Sequence, residues 1–463
     1  MVDSTPGQVV ETTIRLPTQR ELTQEKYPAT DQACLLSDHA SKISKNGQLE
    51  AAIVAVRRAL ALQPDHPMLL SHLGAFLWDV GRYAEAEVAL RRSIEIEPEY
   101  APSHGNLGSV LGAQQKFAEG GAHFREALRI EPDFIDAKWN YGVMLLDAGQ
   151  WTEGWPYCES RIERGNQFQY PRIPYPRWTG QDLNGKSIWV QGEQGVGDRI
   201  LFSRYLAWLK GLYPECKIHY LLNADDLPNM ANLMWGYRNT VSFVPNGIPW
   251  PEDIDYGVYL MSLPGQHGST IENVPPDPGF VLAHTQRVKN FSLPPPNLPS
   301  LRVGIIWSGN SVMKRNIERS IPFELMMRLS ELPNVVLYSL QFDNSDLYDF
   351  GAGYFIPDLT HDIKPMGFTG TARAMLGLDL IITACTSTAH LAGVLGVPCW
   401  VLLNANPYWL WLRGRSDSVW YGPNLRLFRQ PEMFDWVPVY EEVRNELAEL
   451  ANKHAHDKEK QAA

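Results

Sequence analysis

Cysteine is scarce. The five present, Cys34, Cys158, Cys216, Cys385 and Cys399, are odd in number and form no CxxC pair. That argues against a zinc framework or a disulfide scaffold and fits a reducing compartment. Basic charge is in deficit, with 41 Lys and Arg against 52 Asp and Glu and a net charge of -11. Non-specific binding to nucleic-acid backbone needs the opposite balance, although a local basic pocket for one diphosphate stays open. Long apolar runs are also missing. The longest clean stretch, around Gly393 to Leu403, is too short to span a bilayer and contains Pro398. The first 30 residues have no basic start followed by an apolar core, so neither a secretory leader nor a transmembrane segment is expected and the reading is cytoplasmic. What is there is ordinary for globular protein: 463 residues, 44% hydrophobic and 20% charged, enough for about three domains.

The chain repeats itself. Pro64, Pro98 and Pro132 share one spacing, and so do Gly74, Gly108 and Gly142. Gly47, Gly81 and Gly149 keep the same step, with Gln115 in the third unit, and Ala52, Ala86, Gly120 and Gly154 match it too. Four registers at about 34 residues, with Gly early, Ala midway and Pro at the end, define the tetratricopeptide repeat, a helix-turn-helix unit. Small residues sit where the two helices cross, and the proline ends the second helix because it lacks an N–H donor. Leu70, Leu73 and Leu77 form one apolar stripe; Ala86, Ala89, Leu90 and Ile94 form the next. Three full repeats run from Ala33 to Pro132. A fourth starts at Ile135 and drifts after Trp155, and Trp139, Trp151 and Trp155 are placed to pack it against the next domain. Such an array serves as a groove for a peptide partner, or as a spacer or dimerisation surface.

From Asp182 strand-like runs alternate with helical ones: Ser187 to Gln191, Ile200 to Lys210, Lys217 to Leu222 and Thr240 to Val244. A second alternation starts at Val303 to Trp307 and ends with Cys399 to Leu403. This pattern predicts parallel sheets with helices on both faces. The proline-rich segment Leu293 to Ser300 reads as a stiff linker between two lobes. The expected fold is therefore α/β GT-B, two Rossmann-like lobes, preceded by an all-α tetratricopeptide-repeat array. The expected boundaries are a flexible 1–30, repeats at 31–165, lobes at 178–292 and 300–452, and a frayed tail at 453–463.

Three motifs carry the chemistry. In the first, a strand enters a turn with Gly192, Gly195 and Gly197, and a helix leaves at Asp198. Glycines let backbone approach a ligand closely, and Asp at a helix start is also a common cap. The order is G-x-x-G-x-G, not the G-x-G-x-x-G of dinucleotide binders. In the second, a strand ends in Ser308, Gly309 and Asn310, and the cations Lys314, Arg315 and Arg319 come after it. Ligands of open α/β sheets bind beyond the carboxyl ends of strands, where basic side chains suit a phosphate. In the third, a strand runs into Thr386, Ser387 and Thr388, and the helix that starts there carries His390. Free N–H groups at a helix N-terminus, with hydroxyls beside them, bind anions. Asp253 and Asp255 have the spacing of a metal-binding DxD, but they precede a strand-like run, and no metal site is expected.

These motifs, in this order, resemble the heptosyltransferase-like glycosyltransferases of family 9, most closely bacterial tetratricopeptide-repeat proteins carrying such a domain. The resemblance covers about Trp178 to Leu450. It includes the GEQGVGD turn, Trp307 to Asn310 with Lys314, Arg319 to Pro322, Ser339 to Gln341, Thr386 to Gly396, Trp420 with Tyr421, and Leu427 to Gln430. It implies Asp198 as general base. It also implies donor diphosphate binding by Lys314, Thr386, Ser387 and Thr388 with His390 beside them. The chain departs from the family at Cys385, where an Asp is usual. The implied reaction is an inverting, metal-independent sugar transfer from a nucleotide-diphosphate sugar, a co-substrate and not a cofactor, to a protein or glycan acceptor recruited in part by the repeats. Two alternatives stand beside it: a non-catalytic repeat scaffold with a degenerate transferase domain, and a sugar-nucleotide epimerase.

Overall fold

The computed structural model describes residues 29–164, 172–222, 230–245, 247, 249–287, 293, 300–310, 316–343 and 345–462. The lead-in at 1–28, most of the proline-rich linker, Lys314 and Arg315 lie outside the described residues. Two compact units divide the chain, Met1–Met144 and Leu145–Ala463.

Among the described residues the first unit is helical, without strands. Its helices are α1 (Ala29–Lys45), α2 (Leu49–Leu62), α3 (Pro67–Asp79), α4 (Tyr83–Ile96), α5 (Ala101–Ala113) and α6 (Phe117–Ile130). Then α7 (Ile135–Asp147) runs across the division, and α8 (Trp151–Cys158) comes next. From α2 onward the helix starts keep the sequence period, and α2, α4 and α6 each stop two residues before a periodic proline. The helix-to-helix turns need left-handed backbone: Gly47, Gly81 and Gly149 have φ of 81°, 80° and 77°. Gln115 takes the same place at φ 62° although it carries a side chain. Exposed ion pairs also repeat, with Arg57 on Glu85 and Arg91 on Glu119 one period later. Exposed pairs of this kind contribute less than about 1 kcal/mol each, so the buried seam holds the array.

The early glycines are that seam. A Cβ at Gly108 would stand 2.8 Å from the Phe124 ring, and one at Gly74 would stand 2.4 Å from Leu90 Cγ. Phe124 is fully buried, so its ring cannot swing away. Gly108→Ala should destabilise the array by about 1–2 kcal/mol: overpacking costs about 1–3 kcal/mol, less the up to ~1 kcal/mol that Ala gains over Gly in a helix. Urea unfolding monitored by circular dichroism measures it, and a stabilised variant would mean the helices do not cross tightly here.

Among its described residues the second unit holds two sheets. The first has the order β3-β2-β1-β4, all parallel, from β1 (Ser187–Gln191), β2 (Lys217–Leu222), β3 (Ser242–Pro245) and β4 (Tyr256–Tyr259). The second has the order β6-β5-β7-β8-β10-β9. Its strands are β5 (Leu301–Ile306), β6 (Val335–Ser339), β7 (Leu380–Ala384), β8 (Cys399–Leu403), β9 (Asp417–Ser418) and β10 (Gly422–Arg429). All its pairings are parallel except β9 on β10. The expected fold, a tetratricopeptide-repeat array and then two parallel α/β sheets, is what the chain adopts.

Two local differences have physical causes. The helix expected over Ile200 to Lys210 is two helices, α9 (Val196–Phe202) and α10 (Arg204–Leu212). Between them the Ser203 hydroxyl donates to the Ile200 carbonyl at 2.8 Å, which competes with the helix ladder. The final helix (Val437–Ala462) continues through the end that reads as a frayed tail. Its Tyr440, Val443, Leu447 and Ala451 form a buried stripe against Leu337, Trp400 and Phe428 of the second sheet.

Candidate active site

The glycine-rich turn leaves the carboxyl end of β1 and is closed by Asp198, in the first turn of α9. The Gly195 amide donates to Asp198 Oδ2 at 3.1 Å, the carboxylate half of a capping box. The other oxygen, Oδ1, is shut off from solvent and has no hydrogen-bond partner among the described residues. Burial pushes the carboxyl up to about 7, with Glu193 adding to the rise and the Gly195 amide opposing it. Asp198 is thus a cap and a perturbed carboxylate at once.

Glu193, in the same turn, is committed elsewhere. Arg161 Nε and Nη2 donate to its two oxygens at 3.0 and 2.7 Å, and the Met261 amide adds a third bond at 3.1 Å. Both side chains are buried. Arg161 spends its remaining donors on the Cys158 carbonyl, Glu159 and Ser262. Glu193 therefore anchors the turn, with three donors and a buried counter-charge committed to it.

The third motif meets the first directly. The helix α11 (Ser387–Leu395) packs along α9. A Cβ at Gly197 would stand 2.7 Å from His390 Cδ2 and 3.2 Å from the Ser387 Cα, so only glycine allows this approach. At the start of α11 the hydroxyls of Thr383, Thr386 and Thr388 form one network: Thr383 lies 3.1 Å from Thr388 and 3.4 Å from Thr386, and Thr386 bonds Thr388. His390 Nδ1 lies 3.0 Å from the Tyr421 hydroxyl, and its ring stacks on Trp411 at 5.1 Å. Burial, with help from the Arg204 cation, pushes the imidazole down to about 3, so it is neutral.

The second motif joins this group through Arg319. Its Nε donates to Asn316 Oδ1 at 3.0 Å, and its Nη1 donates to the Cys385 carbonyl at 3.0 Å. Asn316 in turn accepts the Gly309 amide and donates to Ser308 Oγ, each at 3.1 Å. The Trp307 and Ser308 amides both donate to Gln341 Oε1. Ser308 and Gly309 are therefore held at the end of β5 beside the third motif, and Asn310 closes the described part of that loop. Cys385 accepts from Trp411 Nε1 at 3.0 Å, and burial pushes its thiol up. Lys314 lies outside the described residues.

Arg161 and Arg204 carried no sequence signal, and Tyr421 was marked only through the resemblance. Arg161, Arg204 and Tyr421 are one-off positions whose partners stand 32, 216 and 31 residues away. Arg413 and Asp147 pair at 2.8 Å behind Arg429, whose guanidinium is pushed down to about 10 by burial and by Arg413. Trp151 stacks on Trp420 at 5.0 Å and Trp155 meets Trp409 edge-on at 5.5 Å, so α8 packs on the second sheet's loops. Asp255 accepts from the Ser187 amide at 2.8 Å and from Lys186, which ties it to β1. Among the described residues, no three His, Cys, Asp or Glu side chains are grouped to hold a metal ion, and no helix is long and apolar enough to cross a membrane.

Known proteins share parts of this architecture. The tetratricopeptide-repeat family model matches residues 44–101, so the chain carries these repeats. Protein FlbA of Caulobacter vibrioides is 27% identical over 339 residues, 66% of this chain and 54% of that protein. The chain thus spans about half the length of the curated relative it matches. A point mutant of the Thermobaculum terrenum O-GlcNAc transferase is 15% identical, with 93% of this chain and 94% of that one covered at a TM-score of 0.34. MamA is 21% identical over 28% of this chain and 77% of its own, at a TM-score of 0.25.

Proposed function

We propose that the α/β unit is a glycosyltransferase of the heptosyltransferase-like class, inverting and metal-independent, using a nucleotide-diphosphate sugar. One observation carries this reading: the Asp198 carboxyl, with one oxygen unpartnered among the described residues, sits in the turn that packs against a hydroxyl-lined helix start. The first supplies a general base for an acceptor hydroxyl. The second supplies N–H and O–H donors for the departing diphosphate. In this reading Asp198 takes the proton, and Ser308, Gly309, Asn310, Lys314, Arg319, Thr386, Ser387, Thr388 and His390 line the donor side. The repeats recruit a protein or glycan acceptor.

Cys385 favours a second reading, a repeat scaffold whose transferase domain binds without catalysing. A thiol held neutral beside Trp411 cannot accept hydrogen bonds as a carboxylate would. Calorimetry and turnover separate the two. Nucleoside diphosphates should bind in both readings, and donor hydrolysis or transfer should occur only in the first. Lys314→Ala should weaken nucleoside diphosphate binding about tenfold or more, the loss of one charge-assisted contact. Unchanged affinity would remove Lys314 from the donor site.

A further inference from the structure

We propose that Tyr421 is a positioning residue that fixes His390 as its Nε2–H tautomer, and that Arg204 holds Tyr421 in place from the first lobe. The proposal rests on the reading of His390 as a ligand of the donor diphosphate.

The geometry is a chain of contacts. Arg204, at the start of α10, is almost wholly buried. Its Nε donates to the Leu201 carbonyl at 3.0 Å, and its Nη1 donates to the Pro275 and Trp420 carbonyls at 3.2 and 2.9 Å. The guanidinium lies 5.3 Å from the centre of the Tyr421 ring and 5.8 Å from that of Trp420, within cation–π range. So a first-lobe cation grips the Trp420–Tyr421 segment by one carbonyl and two ring faces.

The Tyr421 ring in turn lies flat on α11. A Cβ at Gly393 would stand 2.4 Å from Tyr421 Cδ1, and only the bare helix backbone there admits the ring. From this seat the phenol reaches His390 Nδ1 at 3.0 Å. Neutral imidazole carries one N–H, and the bond made by one nitrogen sets the state of the other. A lone-pair imidazole nitrogen is a much stronger acceptor than a phenol oxygen, so in the proposed arrangement the O–H donates and Nδ1 accepts. The proton must then sit on Nε2. The Cδ2–Nε2 edge faces Gly197, with Cδ2 2.7 Å and Nε2 3.5 Å from where a Cβ would stand there. Stacking on Trp411 removes the remaining freedom of the ring. The result is a neutral N–H donor aimed at the turn that precedes Asp198, where an anionic leaving group gains a hydrogen bond and the base gains no competing cation.

The test is long-range 1H–15N correlation on the full chain with 15N-labelled histidine at pH 7, His390 being assigned by the peak lost in His390→Gln. The expected spectrum shows a protonated Nε2 and a lone-pair Nδ1. A proton on Nδ1 in the wild-type chain overturns the proposal by itself. Tyr421→Phe should give a tautomer mixture, and Gly393→Ala, which displaces the ring without removing the phenol, should do the same. An unchanged spectrum in a folded Tyr421→Phe chain also overturns it. ADP, GDP and UDP titrations on the same samples should show about tenfold weaker binding in Tyr421→Phe. If none of the three binds the wild-type chain, the donor-site reading fails, and the tautomer spectrum still decides the positioning claim.

Discussion

Asp198→Asn should lower turnover by about 10²–10⁴-fold, the usual contribution of a positioned base, and leave donor affinity in place. Asparagine keeps the size of the side chain, and its amide oxygen can still accept the Gly195 amide, so the cap survives in part. What it loses is the carboxylate that takes a proton. A residue acting only as a cap would behave otherwise: stability would fall by about 1 kcal/mol and rate would barely move. The pH profile gives a second readout. With the carboxyl pushed up to about 7, the wild-type rate should climb as pH rises through about 7 and level off above it, and Asp198→Asn should lose that rise. The linkage has the unusual sign for an aspartate. The folded chain holds this proton more tightly than the unfolded one, so stability should decline as pH rises from about 4 towards 7. A flat rate profile across pH 5–9 would take the base role away from Asp198.

Arg161→Met should cost about 3–5 kcal/mol, because it leaves the Glu193 carboxylate buried without its counter-charge. The pair is not a surface bridge. Arg161 makes bidentate contact with Glu193 at 3.0 and 2.7 Å, and both side chains are shut off from water. It ties the segment after α8 to the glycine-rich turn and, through Met261 and Ser262, to the end of β4. Glu193→Gln keeps the size and some of the hydrogen bonds, so its cost should be smaller. Denaturant unfolding monitored by tryptophan fluorescence measures both. A loss below about 1 kcal/mol for Arg161→Met would show that water reaches the pair. The comparison with Asp198→Asn is informative, since two carboxylates of one turn should fail in opposite ways, one in stability and one in rate.

The fold was legible because its signals are periodic. Prolines and glycines at a fixed step reported the helix pairs, and apolar runs between helical stretches reported β1, β2 and β8. Asp198, Thr386 and His390 stood out because each lies after a strand at a turn of unusual composition. Arg161, Arg204 and Tyr421 obey no period. Their significance lies in partners brought close only by tertiary packing, and Arg204 meets Trp420 across 216 residues. Nor does spacing reveal that Glu193 is neutralised. Five positions from Asp198 in the same turn, it is the nearest competitor for the base role until Arg161 is seen beside it. The final helix escaped for another reason: its buried stripe, which stops at Ala451, is diluted by charged residues, and its exposed end is too polar to signal a helix.

The contact of Gly197 with Ser387 and His390 makes two distant positions a single unit of inheritance. A side chain acquired at 197 would collide with the helix start that carries the hydroxyls, and no drift within one lobe alone can relieve it. Recombination that exchanged one lobe between relatives would have to preserve this seam, or change both sides of it together. The two halves of the site can therefore diversify elsewhere, in the loops that would meet sugar or acceptor, but along this line they must evolve as one.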